Sequence, residues 1–149
     1  MFIITSKLNL DTSKIKGQLG LGIGGPIQTY VDQRVITLMD NYTPDRNGVL
    51  KQSIRLNSVI GSGKLTQATP YARYQYYGEI YGPNIPIKKH GVIVGWFSPK
   101  KKYPTGRMMK YSTVKSPLAG HHWFDRMKAD KSEQLLKEIQ ALVDRGGFK

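Results

Sequence analysis

VLKQSIRLNSVIGSGKLTQATPYARYQYYG, residues 49–78, decides how the rest of this 149-residue chain is read. Apolar and polar positions alternate over Val49–Ile60, which predicts a strand, and Gly61-Ser62-Gly63 predicts a tight turn. From Lys64 the chain then returns as a second strand. Pro70 inside that run implies an edge position or a bulge, because proline cannot donate to a sheet ladder. On a strand, Tyr74 and Tyr76 would share one face and Tyr71 and Tyr77 the other. A platform for stacking nucleic-acid bases gathers its aromatics on one exposed face among basic neighbours. Here they are divided, with only Arg73 between them, so one face is expected in the core and the other against a neighbouring subunit. The expected contact residues are Tyr71, Arg73, Tyr74, Tyr76, Tyr77, Tyr81 and Trp96. Tyrosine and tryptophan suit that use because they offer large area at low entropy cost.

Upstream of the hairpin, Pro26 sits where a first helical turn tolerates proline. Ile27, Tyr30, Val31, Val35, Leu38, Met39 and Tyr42 recur at three- and four-residue spacing, predicting an amphipathic helix that stops before Pro44. Asp45 and Asn47-Gly48 read as turn chemistry. Met1 to about Leu10 reads as a short strand or ordered arm, and the glycine-rich piece after Asp11 supports only a weak helix. Downstream, residues 83–120 are punctuated by five prolines and read as an extended basic loop, with one short strand at Gly91–Phe97. His121 to about Arg145 carries a helical apolar stripe whose core residues include Trp123, Phe124 and Met127. Asp130-Lys-Ser-Glu133 has the form of a capping box, so this region reads as one helix or as two meeting near Ala129.

The chain thus divides as a single domain, 1–149. Its parts are an N-terminal arm or weak helix (1–24), a helix plus hairpin (25–82), the basic loop (83–120) and a C-terminal helical region (121–145). The predicted class is α+β: a small antiparallel sheet packed by the N-terminal amphipathic helix and the C-terminal helical region, with a long basic loop insertion.

Charge is the strongest compositional signal. Twenty-three Lys and Arg face ten Asp and Glu, a net of +13. No acid occurs between Glu79 and Asp125, and that interval contains Lys88, Lys89, Lys100, Lys101, Lys102, Arg107 and Lys110 as the expected contacts to DNA or to an acidic partner. The chain has no cysteine, which excludes disulfides and thiolate chemistry. No apolar run is long enough for a membrane span, and MFIITSKLNL lacks the basic start and long apolar stretch of a signal peptide.

Catalytic signals are weak. Ser62-Gly63-Lys64 matches the end of a phosphate-binding loop, but Leu65 follows and the upstream glycine is missing, so a turn is the better reading. His121 and His122 are adjacent, about 100° apart on a helix, and do not form a chelating pair. A non-enzyme without metal or cofactor is expected.

TPYARYQYYG (Thr69–Gly78) and SPLAGHHWFDRMK (Ser116–Lys128) resemble the minor capsid protein family of tailed bacteriophages of Gram-positive hosts, a branch of the tail-completion or head–tail joining group. The order also matches, from about residue 10 to 145: amphipathic helix, a Pro/Gly turn leading to Leu50-Lys-Gln-Ser53, the tyrosine piece, and a tryptophan-bearing helix. The 83–115 stretch is longer and more basic than that pattern. The resemblance implies a structural virion protein of the neck, assembled in the host cytoplasm. It would form a ring, often sixfold, between the connector or stopper and the tail terminator or tail tube, around the channel through which DNA passes. The alternative reading is a basic nucleic-acid-binding module that uses the lysine-rich stretch 88–115.

Overall fold

The computed structural model describes residues 2–5 and 23–145. The weak helix expected after Asp11 lies outside them. Ten elements follow in order: β1 (Phe2–Thr5), α1 (Pro26–Met39), α2 (Val49–Asn57), β2 (Lys64–Gln67), α3 (Ala72–Tyr77), β3 (Glu79–Gly82), β4 (Ile85–Lys89), β5 (Val92–Phe97), β6 (Tyr103–Met108) and α4 (Trp123–Asp144). The class is α+β, as expected. The sheet is not single, however: three separate antiparallel ribbons form, β1 with β2, β3 with β6, and β4 with β5.

The core gathers around α1 and α4. Ile27, Val31, Val35, Ile36 and Met39 of α1 are buried together with Trp123, Phe124, Met127, Leu135 and Ile139 of α4. Leu50 and Ile54 of α2 and the paired Ile4 and Leu65 of the first ribbon close the cluster. Two polar ties lock the helices. Glu138 accepts from Arg34 Nε at 2.7 Å and from Tyr30 Oη at 3.1 Å. Tyr42, buried in the turn after α1, donates to Asp130 Oδ2 at 2.8 Å. The second tie falls within α4, which is one continuous helix of 22 residues, about 33 Å long. Asp130 faces Tyr42 instead of capping a new helix, so Asp130-Lys-Ser-Glu133 is helix interior and not a capping box.

The central hairpin expected from residues 49–78 does not form. Val49–Asn57 is helix α2, because Leu50, Ser53 and Ile54, at helical spacing, are the positions that reach the core. Its start is fixed by the turn residues themselves. Asp45 Oδ1 accepts the Gly48 N–H at 2.6 Å, Asn47 Oδ1 accepts that of Val49 at 3.3 Å, and Gly48 takes φ +79°. What reads as a turn between helix and strand is the entry to a helix. β2 is the strand expected from Lys64, but it ends at Gln67.

Residues 72–77 then form the short helix α3, so the predicted division of the tyrosines by strand alternation is overturned. Ala72 and Tyr76, four apart, point inward, while Tyr71, Tyr74 and Tyr77 are exposed. Gly78 ends the helix at φ +73°, its N–H donating to Tyr74 O at 2.9 Å. A Cβ there would lie 2.9 Å from both His121 Cβ and Tyr111 Oη, so glycine is required twice over.

The stretch expected as loop with one strand contains three, β4, β5 and β6. Its prolines fall at positions that tolerate them: Pro86 and Pro104 lie on two-stranded ribbons, where every strand is an edge. Gly106, at φ +71°, sits where the β3–β6 register shifts. Residues 109–122 return along the core, with Met109 N–H bonded to Gly78 O and His122 N–H to Tyr76 O, both at 2.7 Å.

Candidate interaction surface

Tyr76 is the pivot between core and surface. Its ring centroid lies 4.7 Å from Phe2 and 4.8 Å from Trp123, and its hydroxyl donates to Asp125 Oδ2 at 2.9 Å. Burial first, and then the Asp125 hydrogen bond, push its pKa well above the usual tyrosine value. Tyr76 is therefore a structural tie and leaves the expected contact set. The other members are exposed. Tyr77 meets Phe2, Tyr76 and His122 edge-on, Tyr71, Tyr81 and Trp96 line two clefts, and Tyr74 and Arg73 line neither.

Tyr71 borders a cleft of about 780 Å³ between the start of α2, α3 and residues 110–115, together with Arg46, Lys110, Tyr111 and Lys115. Its cations are partly engaged, since Lys115 Nζ donates to Arg46 O at 3.1 Å. The Tyr111 hydroxyl donates to Gln75 O, and burial raises its pKa. Tyr74 instead meets Tyr81 edge-on at 5.3 Å. Tyr81 leads into a second cleft, about 530 Å³, where the two outer ribbons meet; Pro83, Trp96, Tyr103, Pro104 and Arg107 also line it. Arg73, on the exposed side of α3, is in neither cleft.

The two outer ribbons form an arm, residues 79–108. It joins the core through β3, which adjoins α3. Every residue of β4 and β6 is exposed, as is all of β5 except Gly95. The expected cationic residues are placed along this arm: Lys88 and Lys89 beside the β4–β5 turn, Lys100, Lys101 and Lys102 between β5 and β6, and Arg107 on β6. Lys102 Nζ donates to Asn84 Oδ1 at 2.8 Å across the arm's base. Lys110 stands apart in the first cleft.

The sequence reading missed the arm's aliphatic surface. Ile85, Ile87, Ile93 and Val94 are exposed, Val92 is 66% exposed and Phe97 56%, beside Trp96 at 61%. A run such as GVIVGWF reads as buried. The signal that separates it from a core strand is its setting between Lys88-Lys89 and Lys100-Lys101-Lys102, within an interval from Ile80 to Phe124 that has no acid.

Asp32, a charged residue of α1, is fully buried. Its Oδ2 accepts the N–H groups of Gly61 at 2.8 Å and Gly63 at 3.0 Å, and its Oδ1 accepts Gln28 Nε2 at 2.8 Å. The loop between α2 and β2 is thereby tied to α1.

Among the described residues no group of three or more His, Asp or Glu side chains is arranged to hold a metal ion. Among the same described residues no helix is long and apolar enough to cross a membrane. Neither a protein-family model, nor a curated protein, nor a solved structure matches this chain.

Proposed function

We propose that this chain is a structural assembly subunit, in which a helical body carries an arm that makes contacts outside the chain. The observation that carries this reading is the β4–β5 ribbon. A two-stranded ribbon alone is marginal in water, and one with bulky apolar residues on both faces gains stability only when those faces are covered. Nothing in the reading requires an active site. The resemblance to phage minor capsid proteins gives the assembly a place: a neck ring joining head and tail around the DNA channel. Deleting the gene from a phage that encodes it, and viewing the lysate by negative-stain electron microscopy, tests that place. Full heads beside separate tails of normal length are expected; intact infectious virions would refute it.

A second reading is favoured by the aromatic cleft of Tyr81, Trp96 and Tyr103 with Arg107 on its rim. Aromatic faces beside cations suit single-stranded nucleic acid. Binding by the isolated chain would then weaken with salt, with a log–log slope of roughly −0.7 per phosphate neutralised on a single strand. The Lys100, Lys101 and Lys102 run, replaced by alanine, would flatten that slope.

A further inference from the structure

The arm's residues specify the chemistry of what covers it. In β4–β5, residues directly opposite share a face, and the register pairs Ile85 with Phe97, Pro86 with Trp96, Lys88 with Ile93 and Lys89 with Val92. β4 alternates without interruption, because the irregularity at Ile87/Lys88 leaves Val94 as the extra residue on β5. One face therefore carries Ile85, Ile87, Val92 and Phe97, and the other Ile93 and Trp96. Both faces are apolar, and each ends in a lysine near the turn, Lys89 on the first and Lys88 on the second. At the other end stand Lys100, Lys101 and Lys102. The apolar band between these cationic ends is the length of β5, six residues or about 20 Å.

Three kinds of occupant fit this arrangement poorly. Nucleic acid would meet the cations and could stack on Trp96, but it offers nothing to aliphatic side chains on two opposite faces. A lipid bilayer would have to be entered turn first, burying Lys88, Lys89 and the neighbouring His90 ahead of the apolar band. A second copy of this chain has little acidic surface to give. All nine described acids except Glu79 and Glu133 are engaged in hydrogen bonds or ion pairs within the chain. The chain's net charge is +13, so another copy offers the arm's lysines like charge and no complement.

We infer that the β4–β5 ribbon docks into an acidic protein partner. The partner presents an apolar slot about 20 Å long, closed on both faces of the ribbon and flanked by carboxylates at its two ends. β4 carries Pro86, Lys88 and Lys89, which discourage pairing along its outer edge, whereas Val92–Phe97 has neither proline nor charge. The open edge of β5 is thus where a strand of the partner adds. The inference rests on the assembly reading but not on the phage neck.

The test uses the full chain with p-benzoylphenylalanine in place of Ile87 on one face or Ile93 on the other, made in the cells where the protein naturally occurs. These positions are exposed, so the variants keep the fold. After irradiation the captured protein is identified by mass spectrometry, then produced by itself and titrated with the unlabelled chain by calorimetry. The expected result is one foreign protein, richer in Asp and Glu than in Lys and Arg, captured from both positions. Its affinity should fall roughly tenfold or more with Trp96→Ala, and by a similar factor with K100E/K101E/K102E. It should also fall as salt rises. Crosslinks to a second copy of the chain, to nucleic acid or to lipid would overturn the inference. So would capture from one face only, a salt-insensitive partner, or no crosslink. If the captured acidic protein belongs to no virion, this inference stands while the neck reading falls.

Discussion

Replacing Asp32 by alanine should be among the most damaging single changes in the body. The side chain is fully buried and its Oδ2 accepts two backbone N–H groups, from Gly61 and Gly63. Both glycines hold positive φ, +93° and +72°, so the loop that presents these N–H groups has a shape that other residues adopt at a cost. Hydrogen bonds to a charged group contribute roughly 1.5–3 kcal/mol each, and a buried donor left without an acceptor is itself costly. The two bonds share one acceptor and are not additive, so the expected loss is about 3–4 kcal/mol. For a chain of this size that corresponds to a fall in Tm of roughly 6–16 °C. Asp32→Asn retains an oxygen toward the glycines, and its amide N–H can donate to Gln28 Oε1 once the Gln28 amide flips from the donor orientation it now has, so it should lose only about 1–2 kcal/mol. Equilibrium urea unfolding of the three proteins measures the series. If Asp32→Ala lies within about 1 kcal/mol of the parent, the loop is held by something else and the reasoning fails.

Glu138 supplies a pH dependence. Hydrogen bonds from Arg34, its largest influence, hold its carboxyl down at about 2, below the usual ~4.3 for glutamate. A depressed folded value means stability that is complete above about pH 5 and is lost as pH falls toward 2. The pair is about a quarter exposed, 28% and 27%, so screening reduces the effect to roughly 1–2 kcal/mol. Glu138→Gln should remove that share of the acid dependence in denaturation series between pH 5 and 2. Gly78→Ala should cost about 2 kcal/mol or more, through left-handed backbone and the 2.9 Å approaches of His121 and Tyr111, read as a lower urea midpoint. The two tryptophans should behave oppositely. Trp123→Ala, in the core, should cost about 3–5 kcal/mol. Trp96→Ala, on the arm, should leave stability within about 0.5 kcal/mol; a larger loss would mean that the arm is packed on the body.

What could be read from the sequence follows from where local pattern and tertiary packing agree. α1 and α4 were legible because their apolar residues hold helical spacing over three turns or more, and Pro26 marks a start. β5 was legible as a strand from its β-branched and aromatic run. Residues 49–57 misled because Leu50, Ser53 and Ile54 are a sparse helical signal inside a run that also alternates. The deciding information lay in Asp45, Asn47 and Gly48, which serve a turn and a helix entry equally well. Residues 72–77 misled because tyrosine favours strands, yet only Ala72 and Tyr76 reach the core. β4 and β6 were hidden by their prolines, which exclude a central strand but not a ribbon. As for the surface residues, their type was readable and their placement was not. The cations and Trp96 gather on one arm, whereas Tyr71 and Lys110 fall in a separate cleft and Tyr76 is internal.

That separation bears on how the chain works. The body is closed by its own contacts: α1 against α4, α2 and the first ribbon beneath them, Asp32 and Glu138 tying the parts. Beyond β3 the arm contributes almost nothing to that closure, since the side chains of β4, β5 and β6 are exposed. A segment free of folding duty could drift toward polar residues without harm to the body. Instead it holds seven bulky apolar side chains, Ile85, Ile87, Val92, Ile93, Val94, Trp96 and Phe97, between two groups of lysines. Each such residue is an aggregation hazard in the free subunit, and the lysines at either end counter it by repulsion between copies. The same lysines would direct the arm toward an opposite charge. Apolar band and cationic ends therefore act together: one supplies area once docked, and the other keeps the arm apart from its own kind until an acidic partner is met.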